Sequence, residues 1–167
     1  LDGNELLPKT VSLDPAAVTP DSDWNDVFVG RDTSCATKQS GMLYCWGSNS
    51  NLNGGKVGGG NLLAPTLVET VAGAMDADWA QVVTAFVSCG IKANGDLFCW
   101  GRNAENELAN GSTTASAAAV AILPGEKWSV VRTTTFHVCA IKQDGTLWCW
   151  GKNASGQIQP GGPGRIT

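Results

Sequence analysis

Cys139-Ala140-Ile141-Lys142-Gln143-Asp144-Gly145-Thr146-Leu147-Trp148-Cys149-Trp150-Gly151-Lys152-Asn153 is the stretch on which the fold turns. Two short apolar segments flank Gln143-Asp144-Gly145, and a polar residue followed by Gly suits a three-residue hairpin loop with Gly in the left-handed conformation. With the turn centred on Asp144, Cys139 faces Cys149, Ala140 faces Trp148 and Ile141 faces Leu147. The same pattern occurs twice earlier, as Cys35…Gln39-Ser40-Gly41…Cys45-Trp46-Gly47-Ser48-Asn49 and as Cys89…Ala93-Asn94-Gly95…Cys99-Trp100-Gly101-Arg102-Asn103. A directly opposed, non-hydrogen-bonded antiparallel pair has Cα atoms about 4.5 Å apart, within the span of a disulfide. The expectation is therefore three local disulfides, Cys35–Cys45, Cys89–Cys99 and Cys139–Cys149. Each closes a loop of about ten residues, worth roughly 2–3 kcal/mol in the chain-entropy model. The rival reading is a metal site. Thiolate zinc sites usually gather their ligands in close C-x-x-C pairs, and these pairs are too regularly spaced for one shared site, so no metal is expected. Paired Cys points instead to an oxidising compartment, extracellular or secreted.

Alternation sorts the strand faces. Leu147 and Cys149 point one way, Trp148 and Trp150 the other. The earlier copies oppose Leu43 and Cys45 to Tyr44 and Trp46, and Leu97 and Cys99 to Phe98 and Trp100. A strand apolar on both faces belongs between two layers. Ahead of each first Cys stands a further strand signal, Trp24-Asn25-Asp26-Val27, Trp79-Ala80-Gln81-Val82 and Trp128-Ser129-Val130-Val131. Upstream again lie Pro8-Lys9-Thr10-Val11-Ser12-Leu13, its match Pro65-Thr66-Leu67-Val68-Glu69-Thr70, and Ala117-Ala118-Ala119-Val120-Ala121-Ile122. Each unit thus holds about four short strands, giving repeats at 1–64, 65–116 and 117–167 within one continuous domain. A recurrence of ~50 residues marks a propeller or solenoid. The fold expected is all-β, three propeller-type repeats forming an open arc, or part of a β-propeller or filament, rather than a closed ring. Trp24, Trp46, Trp79, Trp100, Trp128 and Trp150 are expected to pack between repeats. The alternative for this aromatic stripe is a carbohydrate or ligand platform.

Composition agrees. Among 167 residues only 16% are charged and 21 are Gly, which fits a turn-rich β protein. A net charge of −4 argues against nucleic acid as a partner. No apolar run approaches the ~18–20 residues of a membrane-spanning helix, so no membrane insertion is expected. The chain opens on Leu1 rather than Met, which fits a processed mature form or a fragment.

Trp-x-x-Val, then Phe136-His137-Val138-Cys139-Ala140-Ile141, then Asp144-Gly145-Thr146-Leu147-Trp148-Cys149-Trp150-Gly151-Lys152-Asn153-Ala154-Ser155-Gly156-Gln157-Ile158, closely resembles the repeat of the regulator-of-chromosome-condensation family. The first copy departs from the pattern in its Gly-rich insert, Gly54 to Gly60. The second places Ala85-Phe86-Val87-Ser88 where the family favours Gly-x-x-His-x. The resemblance implies a β-propeller of four-stranded blades, usually seven, used for protein contacts. It leaves function open.

Three repeats do not complete such a disc, and raw sheet edges are normally covered. The first-strand element at Pro8 to Leu13 and the connector after Gly151 have matching phases. Head-to-tail association of copies of this chain through complementary terminal strands, into a ring or filament, is therefore the leading expectation. The alternative is a secreted module recognising a protein or glycan through its loops. No catalytic residue is expected and no cofactor. The lone His137 has no local triad signature. Asp21 and Asp23, like Asp76 and Asp78, recur before a Trp and read as turn formers rather than a carboxylate pair or a calcium loop. Asn110-Gly111-Ser112 and Asn153-Ala154-Ser155 are N-glycosylation sequons, making Asn110 and Asn153 candidate glycan sites.

Overall fold

A computed structural model describes residues 9–14, 21–69 and 77–158. Every regular element in them is a strand. The first sheet is β1 (Trp24–Val29), β2 (Thr33–Lys38), β3 (Leu43–Ser48) and β4 (Asn61–Leu67), in that spatial order. The second is β5 (Trp79–Thr84), β6 (Val87–Lys92), β7 (Leu97–Gly101) and β8 (Ser116–Ala121). The third, among the described residues, has three strands, β9 (Trp128–Thr133), β10 (His137–Lys142) and β11 (Leu147–Gly151). All pairings are antiparallel, and β5 lies against both β1 and β9. The arrangement is an open propeller arc of three blades.

The hairpins have the register expected from the turn. Cys35 lies opposite Cys45, Cys89 opposite Cys99 and Cys139 opposite Cys149. Their Cα atoms are 4.0, 4.0 and 4.1 Å apart, and each pair is a disulfide. The turn glycines Gly41, Gly95 and Gly145 have φ of 82°, 87° and 87°, the left-handed conformation that favours Gly. The Gly after each second-hairpin-strand Trp is fixed differently. At Gly101, φ is 102° and a Cβ would stand 2.7 Å from the Phe86 carbonyl oxygen, so no larger residue fits the crossing of strand and loop.

The Ala-rich stretch forms β8, as its place in the repeat predicts. The sequence repeat is offset from the sheet by one strand. The divisions at 64/65 and 116/117 fall inside β4 and β8, which are the outermost strands of the sheets they follow, not the first strands of the next. Lys9 to Leu13, the described part of the matching N-terminal element, is in no sheet, and Pro8 lies outside the described residues. The connector after Ile158 also lies outside them.

Two clusters make the core, and both lie between sheets. Cys35, Leu43, Cys45 and Val68 of the first sheet and its exit meet Trp79, Val82, Trp100 and Ala119 of the second. Cys89, Leu97, Cys99 and Ile122 meet Trp128, Val131 and Trp150 of the third in the same way. Each sheet therefore has a forward face of sulfur and leucine and a rear face of tryptophan.

Candidate functional site: two uncovered blade faces

The rear face is built alike in each blade. Trp24 and Trp46 have ring centroids 6.2 Å apart, Trp79 and Trp100 5.8 Å, and Trp128 and Trp150 6.1 Å. A lysine three residues after the first Cys of each hairpin lies over the first Trp of the pair. The Nζ-to-centroid distances are 4.0 Å for Lys38 on Trp24, 5.3 Å for Lys92 on Trp79 and 5.6 Å for Lys142 on Trp128. Lys38 is buried, and ion pairs with Asp21, at 3.4 Å, and Asp23 compensate its charge. Burial pulls the Lys38 ammonium down, but the Asp23 hydrogen bond and the charges of Asp21 and Asp23 outweigh it and raise its pKa. Lys142 pairs with Glu126 at 3.0 Å. These lysines escaped the sequence reading, although Cys-x-x-Lys recurs at Cys35, Cys89 and Cys139.

A polar latch joins successive blades. Trp100 Nε1 donates to the Asn53 carbonyl at 2.9 Å, and Trp150 Nε1 to the Glu107 carbonyl at 2.7 Å. The accepting loops are organised by the Asn of each Trp-Gly-x-Asn run. Asn49 Oδ1 accepts from Gly54 N at 2.9 Å, Asn103 Oδ1 from Leu108 N at 2.8 Å and Asn153 Oδ1 from Ile158 N at 2.9 Å. The third loop therefore has the same scaffold, with Gln157 where Asn53 and Glu107 stand.

Among the described residues these faces are open at the two ends of the arc. Val27 on the first rear face is 62% exposed, whereas its counterparts Val82 and Val131 are 3% and 0%. Trp24 and Trp46 there line a cleft of about 330 Å³ with Val11, Asn25, Asp26, Val27 and Ala36. On the last forward face Leu147 is 68% exposed, against 0% for Leu43 and 1% for Leu97. Among the described residues the indole N–H of Trp46 has no carbonyl like those that serve Trp100 and Trp150.

Residues 24–52 and 134–157, spanning the Trp, the hairpin and the Trp-Gly-x-Asn turn, match the model of the regulator of chromosome condensation (RCC1) repeat. The chain thus carries the signature of this repeat in its first and third units. Among solved structures it is similar to yeast (Saccharomyces cerevisiae) Prp20p, with 19% identity and a TM-score of 0.73, covering 87% of this chain and 38% of that one. It is also similar to human WBSCR16, with 21% identity, a TM-score of 0.67 and coverage of 86% and 39%. The ectodomain of the Physcomitrella patens receptor kinase CR4 gives 20% identity, a TM-score of 0.53 and coverage of 92% and 37%. The chain thus spans under two-fifths of the length of each. No curated protein matches it.

The remaining sequence candidates fall elsewhere on the arc. His137 Nδ1 lies 2.9 Å from the Thr134 hydroxyl in the β9–β10 connection. Asp21 and Asp23 serve Lys38, Asp78 has a φ of 70°, and Asp76 lies outside the described residues. Among the described residues no three His, Cys, Asp or Glu side chains group as metal ligands. Of the two sequons, Asn110 is exposed, whereas Asn153 is buried and its carboxamide oxygen organises the last loop.

Proposed function

We propose that this chain is a non-enzymatic, extracellular structural repeat protein that associates head to tail, the forward face of one copy's third blade stacking on the rear face of the next copy's first. The observation that carries this reading is that the two open faces are the two halves of a contact the chain already makes twice within itself. Val27 and Leu147 are exposed where no neighbouring blade lies among the described residues, whereas their counterparts between blades are buried. Stacking gives Leu147 and Cys149 a seat over Trp24 and Trp46, and brings the Gln157 carbonyl to the Trp46 indole as Asn53 and Glu107 serve theirs. Three disulfides support an oxidising environment. The contact is heterologous, so it closes as a ring or runs on as a filament. Sedimentation velocity from micromolar to submillimolar concentration, with negative-stain imaging, tests this. Mass is expected to rise with concentration through multiples of the chain; a species that stays monomeric throughout overturns it.

A second reading is a module that binds a different protein or a glycan. Protein partners are documented for one similar fold: Prp20p has been described with its binding to Gsp1p and histones, and bound to Kap60. A monomer that nonetheless captures a defined partner, and loses it on Val27→Asp, would favour this reading.

A further inference from the structure

We propose that the second copy does more than stack: it sets Lys9–Val11 along the outer edge of β11, where the end of a fourth strand of the third blade and its exit would lie. This rests on the head-to-tail reading. The first two blades each have an outer strand, β4 and β8, whereas the outer edge of β11 has no strand beside it among the described residues. Such an edge is a ready template for strand addition. The donor is identified by spacing and by place. Pro8-Lys9-Thr10-Val11 repeats the spacing of Pro65-Thr66-Leu67-Val68, which forms the end of β4 and its exit. Val68 packs among Trp79 and Trp100, and Ile122, the residue after β8, among Trp128 and Trp150. Val11 already lines the cleft of Trp24 and Trp46, the equivalent seat on the first blade. Asp21 holds the segment there, its Oδ2 accepting from Leu13 N at 2.7 Å and from the Ser12 hydroxyl at 3.4 Å. Lys9 to Leu13 therefore occupies the position of the end and exit of an outer strand, with no sheet of its own among the described residues.

The internal blades fix the register. Val68 N donates to the Leu43 carbonyl at 2.9 Å and Ile122 N to the Leu97 carbonyl at 2.8 Å. Tyr44 lies opposite Leu67 and Phe98 opposite Ala121. By equivalence Val11 N donates to the Leu147 carbonyl of the neighbouring copy, Thr10 lies opposite Trp148 and Lys9 opposite Cys149. The occupant is a second copy because the donor is fixed on the rear of the first blade, at the opposite end of the arc from β11.

The test mixes two separately purified single variants, Thr10→Cys and Trp148→Cys, under mild oxidation. Val11→Pro, which removes the donating N–H at an exposed position, is the companion variant. A reducible cross-linked heterodimer, with Val11→Pro raising the association midpoint roughly tenfold and leaving the monomer's melting unchanged, is the expected result. Oligomers that form without the cross-link and are indifferent to Val11→Pro overturn strand donation while leaving face stacking intact. A monomer with no cross-link at any concentration overturns both. In a chain carrying both cysteines, a cross-link confined to one monomer overturns the choice of a second copy.

Discussion

Lys38 shows how one residue ties several parts of a blade together. Its stem is buried, its ammonium lies over Trp24, and it draws in Asp21 and Asp23. Lys38→Ala removes both packing and charge, and should cost about 1–2 kcal/mol, read from the denaturant midpoint. Asp21 has a pH signature. The Leu13 amide lowers its pKa, burial opposes this, and Lys38 reinforces it. A carboxylate with a depressed pKa adds stability above its unfolded value and loses it as pH falls through the folded value. The hold on Lys9–Leu13 should thus be intact at neutral pH and fail only below the ordinary 3.8. Exchange of the Leu13 amide, or proteolysis within the segment, should accelerate there and not before. The Cys and Trp positions were legible because each recurs with fixed spacing and one evident use. The lysines were not. Alternation treats a Lys at a strand end as a solvated residue, and only the fold shows it turning back over a ring from a neighbouring strand.

At the scale of the element, the stapled hairpin was readable to the residue, since a disulfide and a Gly turn together leave one register. The outer strand was readable as a strand but not in its membership, because a segment that leaves one sheet and leads to the next has no local mark of which sheet it bonds to. The disulfides should differ in worth by position. Cys89 and Cys99 are fully buried between two sheets, while Cys139 and Cys149 lie partly exposed on the open forward face. Replacing Cys89 and Cys99 by Ala should cost about 2–5 kcal/mol, combining lost cross-link and lost packing, and replacing Cys139 and Cys149 should cost less. Thermal melts of the two double variants check the order. A Gly101→Ala variant, forced against the Phe86 carbonyl at a φ of 102°, should melt lower than wild type as well.

For the whole molecule, the arc was legible from the count of repeats, but which face of which blade lies open was not, because exposure depends on the sense in which blades follow one another. That sense gives an assembly with direction. Val27→Asp blocks the rear face alone and Leu147→Asp the forward face alone, each weakening association by roughly ten- to a hundredfold. Mixed together they should pair once through their intact faces and stop, which mass photometry would read as a dimer with no higher species. The disulfides have a consequence of another kind. Every bridge joins residues ten apart in one hairpin, and none crosses between blades. Six thiols admit many pairings, but during synthesis each hairpin is complete before the next one's cysteines exist. Oxidation in the order of translation therefore meets the correct partner first, and scrambled isomers should arise mainly when the finished chain is reduced and refolded all at once.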